Sequence, residues 1–175
     1  NPLQVYGALL NGAILQPAGL GQTLLNATPL FLTGLSVAVG IRAGLFNIGG
    51  TGQVIVGMLA CGVLGIGMGG LPQPLHLFVE LVFAAAAGAL WGAIAGLLKA
   101  TRGAHEVITT IMLNYIAIRF GEYLLGQGGP LEFANTQSKP LSGSAGFPIL
   151  WQPDFGVRVH FGLIVSLLIC AAVWF

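Results

Sequence analysis

The chain has 175 residues, six of them basic and five acidic, with a formal net charge of +1. Soluble domains carry roughly a quarter charged residues, so a chain that is 55% hydrophobic with 28 glycines excludes a dispersed soluble fold and reads as an integral membrane protein. With no basic cluster, the charge gives no sign of a nucleic-acid partner, and Cys61 and Cys170, both in apolar segments, read as packing residues rather than a disulfide or metal pair.

A helix that crosses a bilayer needs ~20 apolar residues. Residues 1–22 are apolar but interrupted by Pro2, Pro17 and several glycines, which predicts an interfacial or re-entrant segment. Spans are predicted at about 23–41, with Pro29 near its start, and at about 52–70, 77–98 and 107–125. A fifth opens near 161 and is still apolar at Phe175. The chain starts on Asn1 with no signal-peptide pattern, and is expected to be a piece of a longer protein. The fold class is therefore all-α: a polytopic helical bundle forming one partial transmembrane domain over 1–175, with a broken or re-entrant segment.

Orientation follows from the loops. Arg42 follows the first span, and Lys99 and Arg102 follow the third, whereas GGLPQPLH after the second has no Lys or Arg. The excess of basic residues on cytoplasmic loops puts 42–51 and 99–106 inside. Residues 69–76 and the long stretch 126–160 then face outside, although Lys139 and Arg158 on that stretch run against the rule. That stretch is rich in Gly, Pro and Ser, and its length predicts a loop that is functional or disordered. Phe147, Trp151 and Phe155 are expected to rest part of it at the membrane interface.

Two stripes of small residues repeat every four positions: Gly57, Cys61, Gly65 and Gly69, and Ala84, Gly88, Gly92 and Gly96. In lipid, small residues let helix backbones approach closely, so these predict packing seams within the bundle or with a second subunit.

Two motifs carry polar groups to membrane depth. GLFNIGGTGQ, 44–53, combines Gly49, Gly50 and Gly52, expected to break helical continuity, with Asn47, Thr51 and Gln53. Irregular backbone at this depth needs protein or a watery cavity around it, and transporters build substrate sites from such breaks. The plain alternative is a tight cytoplasmic turn in which Asn47 and Gln53 cap the next helix. No Gly-Lys-Ser/Thr follows these glycines, so they are not a nucleotide-phosphate loop. Gly65, Gly67, Gly69 and Gly70 follow no strand and are not a dinucleotide loop either.

In KATRGAHEVITTIMLNYIAI, 99–118, a short basic loop leads into a mostly apolar helix. Glu106, Thr110 and Asn114 are spaced i, i+4, i+8 and share one face, flanked by Thr109. Such a stripe turns toward the bundle or a cavity. The alternative is helix-start chemistry at Glu106, where the dipole favours a carboxylate, with interhelical hydrogen bonding below it. His105-Glu106 lacks the second histidine of a zinc-protease helix, since position 109 is Thr. His76 and His160 lie at outer loop ends, and no nucleophile–base pair is apparent. Arg119 and Glu122 are expected to pair at i, i+3, and Glu80 to reach the outer interface.

Three stretches, 27–57 with FNIG-x-x-GQ, 88–117 with HEVI-x-T-x-MLNYIA, and VHFGLIVSLLI at 159–169, resemble the inner-membrane permeases of bacterial ABC importers of the branched-chain amino acid, ribose and nucleoside group. The simple-sugar and nucleoside permeases are the nearest likeness, and it covers nearly the whole chain. The resemblance implies a multi-pass bacterial cytoplasmic-membrane protein that pairs with a second permease subunit. It implies two cytoplasmic ATPase subunits that carry the ATP and Mg, leaving no cofactor here, and an extracytoplasmic solute-binding protein. The family's ATPase-coupling loop lies in a second half that these residues do not include. The expected function is alternating-access uptake of a nucleoside or simple sugar without covalent chemistry. Asn47, Gln53, Thr110 and Asn114 are expected to line the path, with Glu106 orienting its inner end. Alternatives are a branched-chain amino acid permease, a non-transporting scaffold and an intramembrane enzyme.

Overall fold

A computed structural model describes residues 1–134, 137–154 and 157–174. The order of elements is α1 (Pro2–Leu10), a π-helical turn (Asn11–Leu15), α2 (Pro17–Arg42), α3 (Gly50–Gly67), α4 (Gln73–Arg102), α5 (Glu106–Leu125), a β-hairpin of β1 (Ile149–Asp154) and β2 (Val157–His160), and α6 (Gly162–Trp174). The helices α2, α3 and α4 are long and apolar enough to cross a membrane. Phe155 and Phe175 lie outside the described residues.

The chain divides into two compact units, one of residues 1–36 with 147–175 and one of residues 37–146. In the first, the expected interfacial segment is helical up to the π-turn, and α2 starts at Pro17, six residues earlier than the predicted span. Proline suits that place: its ring presets a helical φ and its missing N–H would have had no partner in a first turn. Pro29 is carried inside α2, where Thr33 Oγ1 donates to the Pro29 carbonyl at 2.9 Å. The long stretch after α5 carries a β-hairpin, since Ile149–Asp154 pairs antiparallel with Val157–His160. Phe147 stacks on His160 with ring centroids 5.8 Å apart. Gly21 of α2 sits under this hairpin, where a Cβ would lie 2.8 Å from Val157 Cγ1 and 2.9 Å from Pro153 Cγ.

The second unit is built on the α3–α4 hairpin with α5 against α3. Its turns end helices with left-handed glycines: Gly44, φ 72°, after α2, and Gly103, φ 64°, after α4. These conformations cost a side-chain-bearing residue but not glycine. Within the helices the small-residue stripes form the α3–α4 seam, while Gly69, beyond α3, packs on Ser142. A Cβ on Gly57 would lie 3.1 Å from the Ala84 carbonyl oxygen, and one on Gly88 3.3 Å from that of Gln53. The stripe runs out at Gly96, where a Cβ would meet nothing within 4 Å.

Burial is inverted relative to a water-soluble domain. Buried side chains among the described residues are small or polar, including Thr28, His76, Glu80, Thr110 and Ser166, while Phe78, Leu90, Leu97 and Ile108 face outward. A hydrocarbon solvent favours this arrangement, because only internal partners can satisfy a polar group there. Glu80 corrects the expectation that it reaches the interface: it is 3% exposed and its Oε1 is 3.3 Å from Nε2 of the fully buried His76. Burial in protein beside a partner one turn away replaces the water it would have sought. Arg119 and Glu122 do pair, at 2.6 Å, on the surface. Cys61 and Cys170 are free thiols, and Cys170 Sγ lies 3.8 Å from the Phe31 carbonyl oxygen.

The seam yields a direct test. Gly57→Val forces a branched side chain against backbone and is expected to cost about 1–3 kcal/mol. Gly62→Val, where a Cβ meets nothing within 4 Å, is expected to leave the thermal midpoint of the detergent-purified protein unchanged.

Candidate functional site

The two polar motifs form one site. The chain leaves α2 at Arg42, turns at Gly44 and runs beside the first turns of α5 until α3 begins at Gly50. Contacts are made at three levels. At the first, Lys99 Nζ donates to the Gly44 carbonyl at 2.9 Å and to Glu106 Oε1 at 2.8 Å. Lys99 therefore ties the two basic loops to one end of the hairpin. The hydrogen bond from Lys99, then Glu106's own backbone N–H and further that of Phe46, hold the Glu106 carboxyl at about 2, far below the usual carboxylate range. Glu106 is the first residue of α5 and precedes the predicted span.

One turn further on, Thr110 is buried and its Oγ1 donates back to the Glu106 carbonyl at 2.7 Å. Its side chain abuts Gly49, where a Cβ would stand 3.2 Å from Thr110 Cβ. Asn47 Oδ1 accepts from the Gly49 N–H at 2.8 Å, closing a turn immediately before α3.

At the third level, Asn114 Oδ1 accepts from the Gly52 N–H at 2.8 Å and Asn114 Nδ2 donates to the Ile48 carbonyl at 3.0 Å. Gly49 caps α3 with no side-chain bond of its own, so Gly52 stands third in the helix with an N–H that no backbone group of α3 can accept. Asn114 supplies the missing acceptor from another helix, 62 residues along the chain. Eight residues separate Glu106 from Asn114, a rise of about 12 Å, so the irregular segment runs that far along α5 to Ile48.

This corrects the reading of the glycines. The break spans 43–49, and Gly50 and Gly52 are helical. The lack of a side chain at Gly52 serves close approach: a Cβ there would lie 3.0 Å from both Asn114 Oδ1 and Trp91 Nε1. Gln53 lies along α4, where a Cβ on Gly92 would be 2.5 Å from Gln53 Nε2. Asn47, Gln53, Glu106, Thr110 and Asn114 thus gather around the segment that leads into α3. Trp91 joins them unforeseen, its Nε1 buried without a hydrogen-bond partner among the described residues. The available signal was its place as the lone large aromatic within the Gly88–Gly92 stripe. Lys99, read only as an orientation marker, is the second omission. Chemically the site offers neutral amides and hydroxyls with partial exposure at Asn47, Gln53 and Asn114, and its carboxylate is already paired.

Two outcomes test this geometry. Asn114→Ala strands the Gly52 N–H and the Ile48 carbonyl, each worth about 1–3 kcal/mol when buried; the Gly52 amide is expected to exchange with deuterium at least ten times faster. For Glu106, a folded pKa of about 2 lies below the unfolded value of ~4.3. The stabilisation is thus fully present above the unfolded value and is lost as pH falls through the folded one. Lys99→Met is expected to return the carboxyl toward its ordinary range, read from its infrared protonation band between pH 6 and 2.

Comparison with known proteins places this geometry in a lineage. Over 170 residues the chain is 42% identical to the guanosine ABC transporter permease protein of Bacillus subtilis, covering 97% of this chain and 49% of that protein. It is 32% identical over 174 residues to the nucleoside ABC transporter permease protein of Lactococcus lactis subsp. cremoris, covering 96% and 48%. It is 34% identical over 177 residues to the glucose ABC transporter permease protein of Haloferax volcanii, covering 95% and 46%. The chain thus spans about half the length of the curated relatives it matches. No solved structure matches it. Residues 19–175 match the family described as the branched-chain amino acid transport system permease component, and with helices, a polar-inside core and relatives all of one kind, the chain belongs to that family of membrane permeases.

Proposed function

We propose that this chain forms part of the membrane subunit of an ATP-driven importer whose solute is a nucleoside or a simple sugar. The observation that carries the reading is the uncharged site: the amides of Asn47, Gln53 and Asn114 and the hydroxyl of Thr110 surround the broken segment, and the nearby carboxylate of Glu106 is neutralised by Lys99. A hydroxyl-rich neutral solute exchanges water hydrogen bonds for such groups. A zwitterionic amino acid would call for a free charge or helix end for its carboxylate. Relatives named for guanosine, nucleoside and glucose support the same solute class.

In this proposal α2 through α6 cross the cytoplasmic membrane, with 42–51 and 99–106 inside and 69–76 and 126–160 outside. Two observations support that arrangement: Lys99 joins the first pair of loops, and Ser142 of the long outer stretch bonds to Gly65 at the opposite end of α3. A second permease subunit, two ATPase subunits holding ATP and Mg, and an extracytoplasmic binding protein complete the machine. The chain's own part is to bind and release. Asn47, Gln53, Thr110 and Asn114 line the path, and Glu106, fixed by Lys99, orients its inner end. Asn114 keeps one unused N–H and one unused lone pair for the solute while still holding α3. Nucleotide binding by the partner chains would repack the helices and alternate the access of this path.

The test is uptake by the complete transporter in proteoliposomes. Guanosine or glucose, and not leucine, is expected to compete with labelled solute. Asn47→Ala and Asn114→Ala are expected to lower uptake at least tenfold at equal subunit abundance. Competition by leucine alone would assign the branched-chain amino acid class instead, and unchanged uptake in both variants would remove the two asparagines from the path.

A further inference from the structure

A second buried polar cluster lies at the other end of the α3–α4 hairpin, and the transport reading leaves it unused. His76 and Glu80 lie on successive turns of α4, 0% and 3% exposed. The His76 Nδ1 is 2.7 Å from Ser144 Oγ, and its Nε2 is 3.3 Å from Glu80 Oε1, so the imidazole bridges a helix carboxylate and a loop hydroxyl. Nε2 and Oε1 are both buried and make no well-aligned hydrogen bond to any described residue. They lie 3.3 Å from each other, which makes the pair sensitive to whatever fixes the ring. Cys61 of α3 is the other titratable group facing Glu80.

What fixes the ring is the strap of residues 141–146. Ser142 donates both its backbone N–H, at 2.9 Å, and its Oγ, at 2.8 Å, to the Gly65 carbonyl. That carbonyl belongs to the last turn of α3 and has no acceptor role within the helix. Gln73 Nε2 donates to the Gly146 carbonyl at 2.8 Å. Gly65 accepts the strap closely, since a Cβ there would lie 2.9 Å from Leu141 Cδ2, 3.3 Å from Ala145 Cβ and 2.8 Å from Glu80 Oε1. The strap is thus tied by four hydrogen bonds to side chains or helix ends, with few large apolar contacts, over two side chains that no water reaches. Held this way it excludes water from His76 and Glu80. Lifted, it gives them water and uncaps α3. Hydration of a buried ionisable pair offsets part of what the strap loses in hydrogen bonds when it lifts.

We propose that the strap is a gate on the outer face, latched through Ser144, His76 and Glu80, which opens and closes as the transporter cycles. The cycling rests on the importer reading above; the latch does not. The experiment makes Ala145→Cys in the complete transporter, in a Cys61→Ala, Cys170→Ala background, and follows labelling by a membrane-impermeant maleimide from the outside. Ser144→Ala cuts the latch at the loop end and leaves the helices intact; labelling is expected to quicken about tenfold. Glu80→Gln keeps the shape of the pair and removes its charge, and is expected to quicken labelling to a smaller degree, which a merely structural cover would not show. ATP with vanadate, against no nucleotide, is expected to change the parent's rate at least threefold. Equal rates in parent, Ser144→Ala and Glu80→Gln overturn the latch. A rate that ignores nucleotide while guanosine uptake persists overturns the gate, whereas loss of uptake in the parent counts against the importer reading alone.

Discussion

The second unit depends on one primary amide. Asn114 binds a helix N–H and a loop carbonyl at once, and those two groups are the end of α3 and the residue that leads into it. A helix start covered by protein cannot leave its N–H groups to solvent, and the buried Gly52 N–H needs an internal partner. A hydroxyl or carboxylate at the cap position would serve in water, but the cap here is Gly49, which bears no side chain. A primary amide both donates and accepts on a rigid plane, so it joins the two backbone groups without bringing a charge. Placement of α3 against α5, and through the glycine seam against α4, follows from that bond and from the lack of bulk at Gly52.

The same logic governs the charged end. Lys99 and Glu106 are both partly exposed, so an ion pair there has little desolvation to overcome. Charge at the rim and amides below it form a gradient along α5: carboxylate, hydroxyl, amide. The gradient matches what each depth can hydrate.

Much of this was legible before any coordinates. The helices α3, α4 and α5 coincide to within a few residues with apolar stretches visible in the sequence, because apolar length and loop punctuation are local signals. The i, i+4, i+8 stripe and the FNIG-x-x-GQ break were both visible as separate motifs. Their register was not, since which carbonyl Asn114 takes is decided by how two helices pack. Gly52 looked like a breaker because a glycine's flexibility and its lack of bulk are indistinguishable in sequence. Glu80 looked like a residue seeking water because its partner Ser144, reached through His76, lies across a loop with no pattern. Trp91 hid for the opposite reason: an aromatic in a membrane helix is ordinary until its N–H is seen to be enclosed.

Both ends of α3 are completed from far along the chain, by Asn114 at a separation of 62 residues and by Ser142 at 77. A ribosome adding ~5–20 residues per second reaches Asn114 several seconds after Gly52 has been made. α4 is complete only at Arg102, late in that interval, yet the seam glycines of both helices are all made before Asn114 and Ser142 exist to close either end of α3. Biosynthesis of this hairpin therefore leans on a smooth, featureless contact first and on directional bonds afterwards. A residue that roughens the seam would act on the nascent chain, before the bonds that define the mature site exist to resist it.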